Sequence, residues 1–462
     1  MLFLNRTDEL SRLDRLARSG DGGLAVISGR RRVGKTRLLL EWTRRHHGLY
    51  FVADQSSASL QRRYFAQAVS TRLPGFGDVD YPDWRALFAR LASEAKLRKF
   101  KGPLVIDELP YLVLSSPELP SVLQQWLDHD AREAKLTVAL AGSSQRMMQG
   151  LVVDGAAPLF GRAREVLEVL PLAPRWLPHA FKGLAGSELL ATWTAWGGVP
   201  RYWELAHAAR GRLGQRIDTL VLDPMGALHH EPDRLLLEET PSAVDLRPLL
   251  DAIGAGIHRL SEIAARAGRP VTSLARPLER LIELGLVRRE VPFGEAPRQT
   301  KRSLYRLADP FFRLWFRVVA PQRGYLAVAT PKQRQALLAT HFPALVGSAF
   351  EELCLRQVSA LGDWLPAGRW WQGSAPEWDV VSSSPDGQRL LLGEAKAWRK
   401  PATVEALVPE ARRLRARPMP RLTAMKAAPQ VEWALFVPEL APRVPEVIEG
   451  VRVYTVADLV PP

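Results

Sequence analysis

The octapeptide GRRRVGKT at residues 29–36 restricts the possible folds of this chain more than any other stretch. It fits the pattern G-x-x-x-x-G-K-[ST] in full. The apolar residues 24–27 before it predict a buried parallel strand, and the segment that starts at Arg37 predicts a helix. Backbone N–H groups at such a helix N-terminus bind anions. The sequence therefore predicts an α/β fold with a parallel sheet and a phosphate loop.

The side chains of this loop predict a nucleoside triphosphate as the ligand. Lys35 is expected to reach the β- and γ-phosphates, and the Thr36 hydroxyl is expected to ligate Mg²⁺. Small residues at Gly29 and Gly34 let phosphate approach the main chain. ATP and Mg²⁺ are therefore the predicted cofactors. The residues assigned to the nucleotide by this motif are Gly29, Arg30, Arg31, Arg32, Val33, Gly34, Lys35, Thr36 and Arg37.

Residues 103–108 supply a second nucleotide motif, an apolar strand that ends in Asp107 and Glu108. Parallel sheets bind their ligands at the carboxyl ends of the strands. Asp107 is therefore predicted to hold Mg²⁺ through water, and Glu108 to polarise the attacking water. A further apolar strand at residues 136–141 leads to Ser143, which we expect to sense the γ-phosphate or to cap the next helix.

Composition limits the partners and the compartment. The chain has 462 residues, enough for about three domains, and 47% of them are apolar. The sequence has no run of 18 apolar residues and no export signal, so we expect a cytoplasmic protein without a membrane span. The excess of 63 Lys and Arg over 49 Asp and Glu gives a formal charge of +14. This charge favours a polyanion such as nucleic acid, although a basic surface can also serve solubility alone.

A different chemistry is indicated near the C-terminus. Glu394 and Lys396 are two residues apart on a predicted strand and so point to the same face. A hairpin with the strand at residues 378–381 brings Asp379 beside them, and a helix can add Glu351. Asp379 and Glu394 then suit Mg²⁺, while Lys396 positions or deprotonates a metal-bound water. The alternative is a hairpin that ends in a surface ion pair.

Three further motifs complete an ordered series. Residues 3–10 read FLNRTDEL, residues 159–162 read LFGR, and residues 197–202 read GGVPRY. Together with the phosphate loop, the Asp-Glu strand and the Gly-Ser-Ser end at residues 142–144, they resemble archaeal-type P-loop ATPases of the AAA+ and STAND group in the expected order. The resemblance implies a P-loop ATPase with a parallel sheet and a helical lid.

The resemblance also implies roles for single residues. Asn5 and Arg6 are candidates for contacts with the adenine, or else form a helix entry. Arg162 is a candidate to approach the γ-phosphate in cis or a neighbour's site in trans, or else is a surface arginine. Pro200 belongs to a lid motif that reports the nucleotide state, or else to a plain helix-helix corner.

Residues 245–306 predict a winged helix, that is, three helices followed by a β-ribbon. The wing is expected to contact phosphates, while Arg276 and Arg280 on the third helix are balanced by acids and do not indicate base readout. The competing hypothesis is that the winged helix reads a specific DNA sequence. The resemblance to STAND-type proteins implies a further alternative, in which the winged helix packs against other parts of the protein. The wing's cations are Arg288, Arg289, Arg298, Lys301, Arg302 and Arg306, against Glu290 and Glu295.

The order FE, WD and GEAK around Glu351, Asp379 and Glu394 resembles the PD-(D/E)xK nuclease superfamily, and in particular the nuclease-like domain that accompanies archaeal-type ATPases. Residues 377–379 depart from the usual Pro-Asp pair, so the domain is expected either to cleave DNA or to bind without cleavage. Downstream, a cation-rich stretch is expected to face DNA. Its members are Arg399, Lys400, Arg412, Arg413, Arg415, Arg417, Arg421 and Lys426.

These expectations combine into one organisation. Residues 1–175 are predicted to form the ATPase core, 176–235 the helical lid, 236–320 the winged helix and 321–462 an α/β nuclease-like domain. The predicted function is an ATP-hydrolysing switch coupled to a metal-dependent DNA nuclease or DNA-binding domain. The alternative is an ATPase-driven clamp for nucleic acid or protein with a catalytically silent nuclease-like domain. The sequence does not decide the oligomeric state.

Overall fold

The computed structural model describes residues 4–152, 157–239, 243–296, 300, 302–422 and 429–461. The chain divides into two compact units, one from Leu2 to Pro171 and one from Leu172 to Pro462. The domain limits at residues 175, 235 and 320 are finer than this division and stay predictions. Three of the cations expected to face DNA lie outside the described residues, namely Arg298, Lys301 and Lys426.

The first unit is built on a five-stranded sheet in which all neighbouring strands run parallel. The strands are β1 Gly23–Ser28, β2 Leu49–Val52, β3 Leu104–Asp107, β4 Thr137–Ala141 and β5 Ala163–Glu168. Their order across the sheet is β2-β3-β4-β1-β5. The ends of β1, β3 and β4 are therefore neighbours, which brings the phosphate loop and the Asp-Glu motif to one edge. The predicted α/β class with a parallel sheet is confirmed.

Helices cover both faces of this sheet. Successive residues of β1 divide between two cores, since Val26 packs in one cluster and Ala25 and Ile27 in the other. This alternation follows from the strand geometry, and it explains why the central strands are apolar without interruption. The helices are α1 Thr7–Arg18, α2 Lys35–Arg45, α3 Ala58–Ser70, α4 Trp84–Leu97, α5 Leu109–Ser115, α6 Leu119–Asp128, α7 Asp130–Glu133 and α8 Gln145–Val152.

The second unit begins with helices and contains the winged helix. Its first helices are α9 Leu177–Ala180, α10 Gly186–Trp196, α11 Pro200–Ala208, α12 Leu213–Ile217 and α13 Glu231–Glu239. The winged helix consists of α14 Ala243–Gly254, α15 Leu260–Ala267 and α16 Ala275–Glu283, with the antiparallel ribbon of β6 Val287–Glu290 and β7 Leu304–Leu307. The helices α17 Pro310–Leu314 and α18 Arg323–Leu326 follow. The three helices and the ribbon predicted from the sequence are thus present.

A mixed six-stranded sheet forms the rest of the second unit. Its strands are β8 Gly368–Trp370, β9 Trp378–Ser383, β10 Arg389–Ala395, β11 Gln430–Phe436, β12 Val447–Ile448 and β13 Val451–Tyr454, and its helices are α19 Pro331–Gln357, α20 Val404–Arg415 and α21 Val456–Leu459. The order is β12-β13-β11-β10-β9-β8. β8, β9 and β10 pair antiparallel, whereas β10, β11 and β13 pair parallel. Within the described part of the chain, no helix has the length and apolar character needed to cross a membrane.

Candidate nucleotide site and C-terminal carboxylate cluster

The phosphate loop connects β1 to α2 with a backbone that requires glycine at two points. Gly29 has φ 141° and Gly34 has φ 101°, which are left-handed values that favour glycine. A Cβ atom at Gly29 would also collide with the carbonyl oxygen of Val169. Gly34 caps the N-terminus of α2, so the loop ends where the first N–H groups of a helix have no intrahelical acceptor.

Lys35 is held inside this loop. Its Nζ donates to the carbonyl oxygens of Gly29 at 2.6 Å and Arg30 at 3.2 Å, and the residue is only 5% exposed. The ammonium group is therefore directed across the loop towards its first residues. A positive charge in this position, together with the N-terminus of α2, can attract a phosphate group.

Thr36 and Asp107 meet at the carboxyl edge of the sheet. The Thr36 hydroxyl donates to Asp107 Oδ2 at 2.8 Å, and the Tyr50 hydroxyl donates to the same oxygen at 2.7 Å. Asp107 is fully buried. Oxygen atoms of a hydroxyl and a carboxylate are hard ligands of the kind that Mg²⁺ prefers, so these residues fit that ion. The two motifs that predicted Thr36 and Asp107 are thus brought together by the N-terminus of α2 and the end of β3.

Tyr50 is a member of this site that the sequence did not indicate. Burial, and then the charge of Asp107, raise the pKa of Tyr50, so the hydroxyl keeps its proton and acts as a donor. Tyr50 reaches Asp107 because β2 pairs with β3, with Val52 opposite Asp107. A tyrosine in an apolar strand gives no local signal of such a contact.

Glu108 and Ser143 form the second polar contact of this edge. The Ser143 hydroxyl donates to Glu108 Oε2 at 2.9 Å, which links the end of β3 to the end of β4. Glu108 has a left-handed φ of 55°, unusual for a residue with a side chain. The backbone therefore turns sharply after Asp107 and directs the two adjacent carboxylates to different partners.

Arg6 supports the phosphate loop from outside. Its guanidinium donates to the carbonyl oxygens of Val33 and Leu170, both at 2.7 Å, and it pairs with Glu9 at 2.9 Å. Because burial dominates, the pKa of Arg6 is lowered from its ordinary value. The side chain is thus bonded to protein groups, while Asn5 beside it is half-buried with φ 61°. The expected adenine contacts of both residues stay predictions.

Arg162 does not join the phosphate loop of its own chain. It precedes β5, whose first residue Ala163 pairs with Leu24 at the amino end of β1. Its guanidinium makes two bonds of 2.8 Å to Asp128. The expectation of a γ-phosphate contact in cis is therefore corrected, because parallel strands place this residue at the opposite edge of the sheet. A contact in trans stays a prediction.

Pro200, the remaining residue expected near the nucleotide, begins α11 in the second unit, and the Gly197 and Gly198 pair separates α11 from α10. A proline is tolerated there because the first N–H groups of a helix have no intrahelical acceptor. The backbone of this corner agrees with the predicted break between two helices. Its role as a lid stays a prediction.

The C-terminal residues predicted to converge do so. β10 pairs with β9 with Gly393 opposite Val380, so Asp379 lies near Glu394, and the backbone N–H of Ala395 donates to Asp379 at 3.0 Å. Burial, and then the charges of Glu394 and Glu351, raise the pKa of Asp379 to about 6. The Lys396 Nζ donates to Glu394 Oε1 at 2.9 Å. Glu351, Asp379, Glu394 and Lys396 therefore form one cluster.

Cations neutralise this cluster. Glu394 Oε2 accepts from Arg417 at 2.7 Å, and Glu351 pairs with Arg369 at 2.5 Å. Burial opposes the ionisation of Glu394, but the bonds from Arg417 and Lys396 outweigh it and lower the pKa of Glu394. The described residues contain no group of three or more His, Cys, Asp or Glu side chains arranged for a metal ion. The cluster as folded therefore does not fit Mg²⁺.

Most of the described arginines of the wing form ion pairs within the protein. Arg288 pairs with Glu290 at 2.8 Å and with Glu352 at 2.7 Å, and Arg306 pairs with Glu290 at 2.9 Å. The predicted phosphate contacts of Arg288 and Arg306 are corrected, because both guanidiniums are mostly buried in these pairs. Of the described wing cations, Arg302 pairs with Glu295 and Arg289 is exposed.

The parallel sheet, the phosphate loop and the contact between Thr36 and Asp107 define the class of the first unit as a P-loop ATPase domain. Residues 3–205 match a family described as an ATPase domain predominantly from Archaea. Residues 315–407 match a family of archaeal and bacterial proteins of unknown function. The chain is thus similar to the first family over residues 3–205 and to the second over residues 315–407.

The proteins that are similar to the chain include one uncharacterized relative and several solved structures. The uncharacterized protein MJECL04 of Methanocaldococcus jannaschii is 25% identical over 402 residues, which are 86% of this chain and 87% of that protein. The Walker-type ATPase PABY2304 of Pyrococcus abyssi has a TM-score of 0.54 and 19% identity, over 68% of this chain and 96% of its own. The latter likeness shows a shared fold. The ORC2 protein of Aeropyrum pernix, solved in ADPNP and ADP complexes, has a TM-score of 0.44 and 14% identity, over 74% of this chain and 95% of its own.

Proposed function

We propose that the first unit is a switch that binds and hydrolyses ATP at the phosphate loop. The observation that carries the proposal is the 2.8 Å contact between the Thr36 hydroxyl and Asp107, beside a buried Lys35. In the loaded site, Thr36 and Asp107 hold Mg²⁺, which neutralises phosphate charge. Lys35 and the N–H groups of the loop bind the β- and γ-phosphates.

Glu108 and Ser143 have complementary roles in this proposal. Glu108 orients the attacking water and accepts its proton. Ser143 holds the Glu108 carboxylate through the 2.9 Å hydrogen bond and senses whether a γ-phosphate is present. The resemblance further supports Asn5 near the base, Pro200 in a lid and Arg162 acting on a neighbouring chain.

Measurements of ATP affinity and hydrolysis on three variants test this switch. Lys35→Ala is expected to lose ATP affinity, because the loop loses its buried charge. Glu108→Gln is expected to keep ATP affinity and to lose about 100-fold or more in hydrolysis rate, the usual contribution of a positioned base. The control is Lys96→Ala, which removes an exposed lysine paired with Glu133. An unchanged rate of ATP hydrolysis in Glu108→Gln would reject the assignment of Glu108 as the base.

We infer that ATP hydrolysis is coupled to a C-terminal domain that acts on nucleic acid. The formal charge of +14 supports a polyanionic partner. In the nuclease version, Asp379, Glu394, Glu351 and Lys396 form the catalytic site. In the second version, the domain binds without cutting. The ion pairs of Glu394 with Arg417 and Lys396 favour the second version, since both carboxylate oxygens are already bonded to cations.

Incubation with linear and circular DNA separates the two versions. The full chain is assayed with and without ATP, in Mg²⁺, Mn²⁺ or EDTA, beside Glu394→Ala and Lys396→Ala. Metal-dependent cleavage that both variants lose would identify a nuclease and show whether ATP controls it. Retention of DNA without cleavage under any condition would identify the binding switch.

A further inference from the structure

Arg417 occupies a specific place in the C-terminal cluster. It follows α20 in the chain, and its Nη1 donates to Glu394 Oε2 at 2.7 Å and to the backbone carbonyl oxygen of Glu377 at 2.5 Å. Its guanidinium also lies over the Trp378 ring, 4.8 Å from the centroid. The side chains of Arg417 and Glu394 are 15% and 14% exposed. A carboxylate, a carbonyl and an aromatic ring thus hold one cation.

The second oxygen of the same carboxylate is also bonded. Lys396 donates to Glu394 Oε1 at 2.9 Å, and Lys396 lies 3.7 Å from Glu410. With Arg369 on Glu351, the cluster has three carboxylates and three cations. A divalent ion binds through carboxylate oxygens that are free to coordinate it. It would also meet the repulsion of a guanidinium a few ångströms away.

Arg417 and Lys396 differ in how they can release the Glu394 carboxylate. Lys396 carries its charge at the end of a flexible chain, whereas the planar guanidinium of Arg417 is fixed by its three partners. Arg417 must therefore move to uncover Glu394. Since three partners hold it, its displacement is the step that decides access to the carboxylate.

We propose that Arg417 is a built-in cation that closes the Asp379 and Glu394 pair to divalent metal ions, and that removal of its guanidinium opens a metal site there. The proposal rests on the assignment of this cluster as a nuclease-like site. It concerns metal binding alone, so it can be tested whether or not the protein cleaves DNA.

Calorimetric titration of the nucleotide-free full chain with Mn²⁺ tests the proposal. Arg417→Met removes the charge and keeps an apolar side chain over Trp378. It is expected to bind one additional Mn²⁺ at least tenfold more tightly than the unmodified chain. The gain should disappear when Glu394→Gln is added, which assigns the ion to this cluster. Thermal melts establish that each variant is folded.

Two further variants make the result decisive. Arg417→Lys keeps a positive charge and is expected to leave Mn²⁺ binding weak, as in the unmodified chain. Arg452→Met, which removes an exposed arginine that pairs with Glu446 and lies over the Tyr454 ring, is the matched control and should also change nothing. Equal Mn²⁺ affinity in the unmodified chain and Arg417→Met would overturn the proposal. A loss of DNA cleavage or DNA binding in these variants would bear on the proposed function and not on the proposal about metal binding.

Discussion

His258, between α14 and α15, is a single residue whose surroundings keep it neutral. Its Nδ1 contacts the carbonyl oxygen of Tyr305 at 3.0 Å, so this nitrogen carries the proton and donates, and Arg306 faces its Nε2 at 3.5 Å. Burial, and then the charge of Arg306, lower the pKa of His258 to about 4, although the Tyr305 bond and Glu290 act in the opposite direction and Arg369 adds a further positive charge. The residue therefore resists protonation only while the winged helix is folded.

This low pKa predicts a loss of stability in mild acid. The ordinary pKa of His258 is 6.5 and the folded one is about 4, so below pH 6.5 the unfolded chain takes up a proton that the folded chain refuses. Stability should fall as the pH decreases through this window, by about 1–2 kcal/mol at pH 5 after allowance for partial exposure. In His258→Asn, which can still donate to Tyr305, this part of the loss should be absent. Urea unfolding at pH 7.5 and pH 5 measures the free energy of unfolding of the unmodified chain and of His258→Asn. Equal losses of stability in the two chains would contradict the prediction.

At the scale of elements, Glu352 on α19 links this helix to a second helix and to a strand. It pairs with Arg288 on β6, with Arg313 on α17 and with Arg356 one turn further along α19. Burial opposes its ionisation, but these arginines outweigh burial and lower the pKa of Glu352 to about 2. The wing also reaches β8, since the N–H of Phe293 donates to the carbonyl oxygen of Arg369 at 2.7 Å. The ribbon is thus part of the packing of the second unit.

Removal of the Glu352 charge should destabilise the second unit. In Glu352→Gln, Arg288 keeps Glu290, but Arg313 loses the carboxylate that compensates its burial, and the exposed Arg356 loses its partner. A cost of about 3 kcal/mol is expected, the usual penalty for breaking a buried ion pair from one side. Denaturant unfolding measures this cost. The control is Glu283→Gln, in an exposed pair with Arg280 on α16, which should cost no more than about 0.5 kcal/mol. If Glu352→Gln lowers the free energy of unfolding as little as the control does, Glu352 does not hold these elements together.

At the scale of the whole molecule, the excess of positive charge predicts binding that depends on salt. Because the wing is largely paired internally, the exposed arginines of α20, Arg412 and Arg413, are the better candidates for phosphate contacts. With about four phosphates contacted, affinity for duplex DNA should fall about 100-fold between 50 and 200 mM salt, without a preferred sequence. Arg412→Ala combined with Arg413→Ala should reduce the salt slope by about 2. Fluorescence anisotropy measures this slope, with Arg63→Ala as the surface control. A strong preference for one DNA sequence would instead favour the hypothesis that the winged helix reads bases.

Much of the candidate site could be predicted because its signals are local. The phosphate loop, the strand ending in Asp107 and the spacing of Glu394 and Lys396 each lie within a few residues, and their chemistry follows from residue type and strand period. The convergence of Asp379 with Glu394 was also predictable, since a short turn limits how two strands can pair. These features follow from neighbouring residues alone.

The sequence by itself determined the parallel sheet, the phosphate loop and the hairpin of the C-terminal cluster, because short-range periodicity and motif spacing encode them. Only the tertiary structure decided that Tyr50 donates to Asp107, that Arg162 lies at the far edge of its sheet, and that Arg417 covers Glu394. Each of these depends on which distant segments become neighbours in the fold. No local pattern in the chain contains that information, because it arises from packing segments that are far apart in sequence.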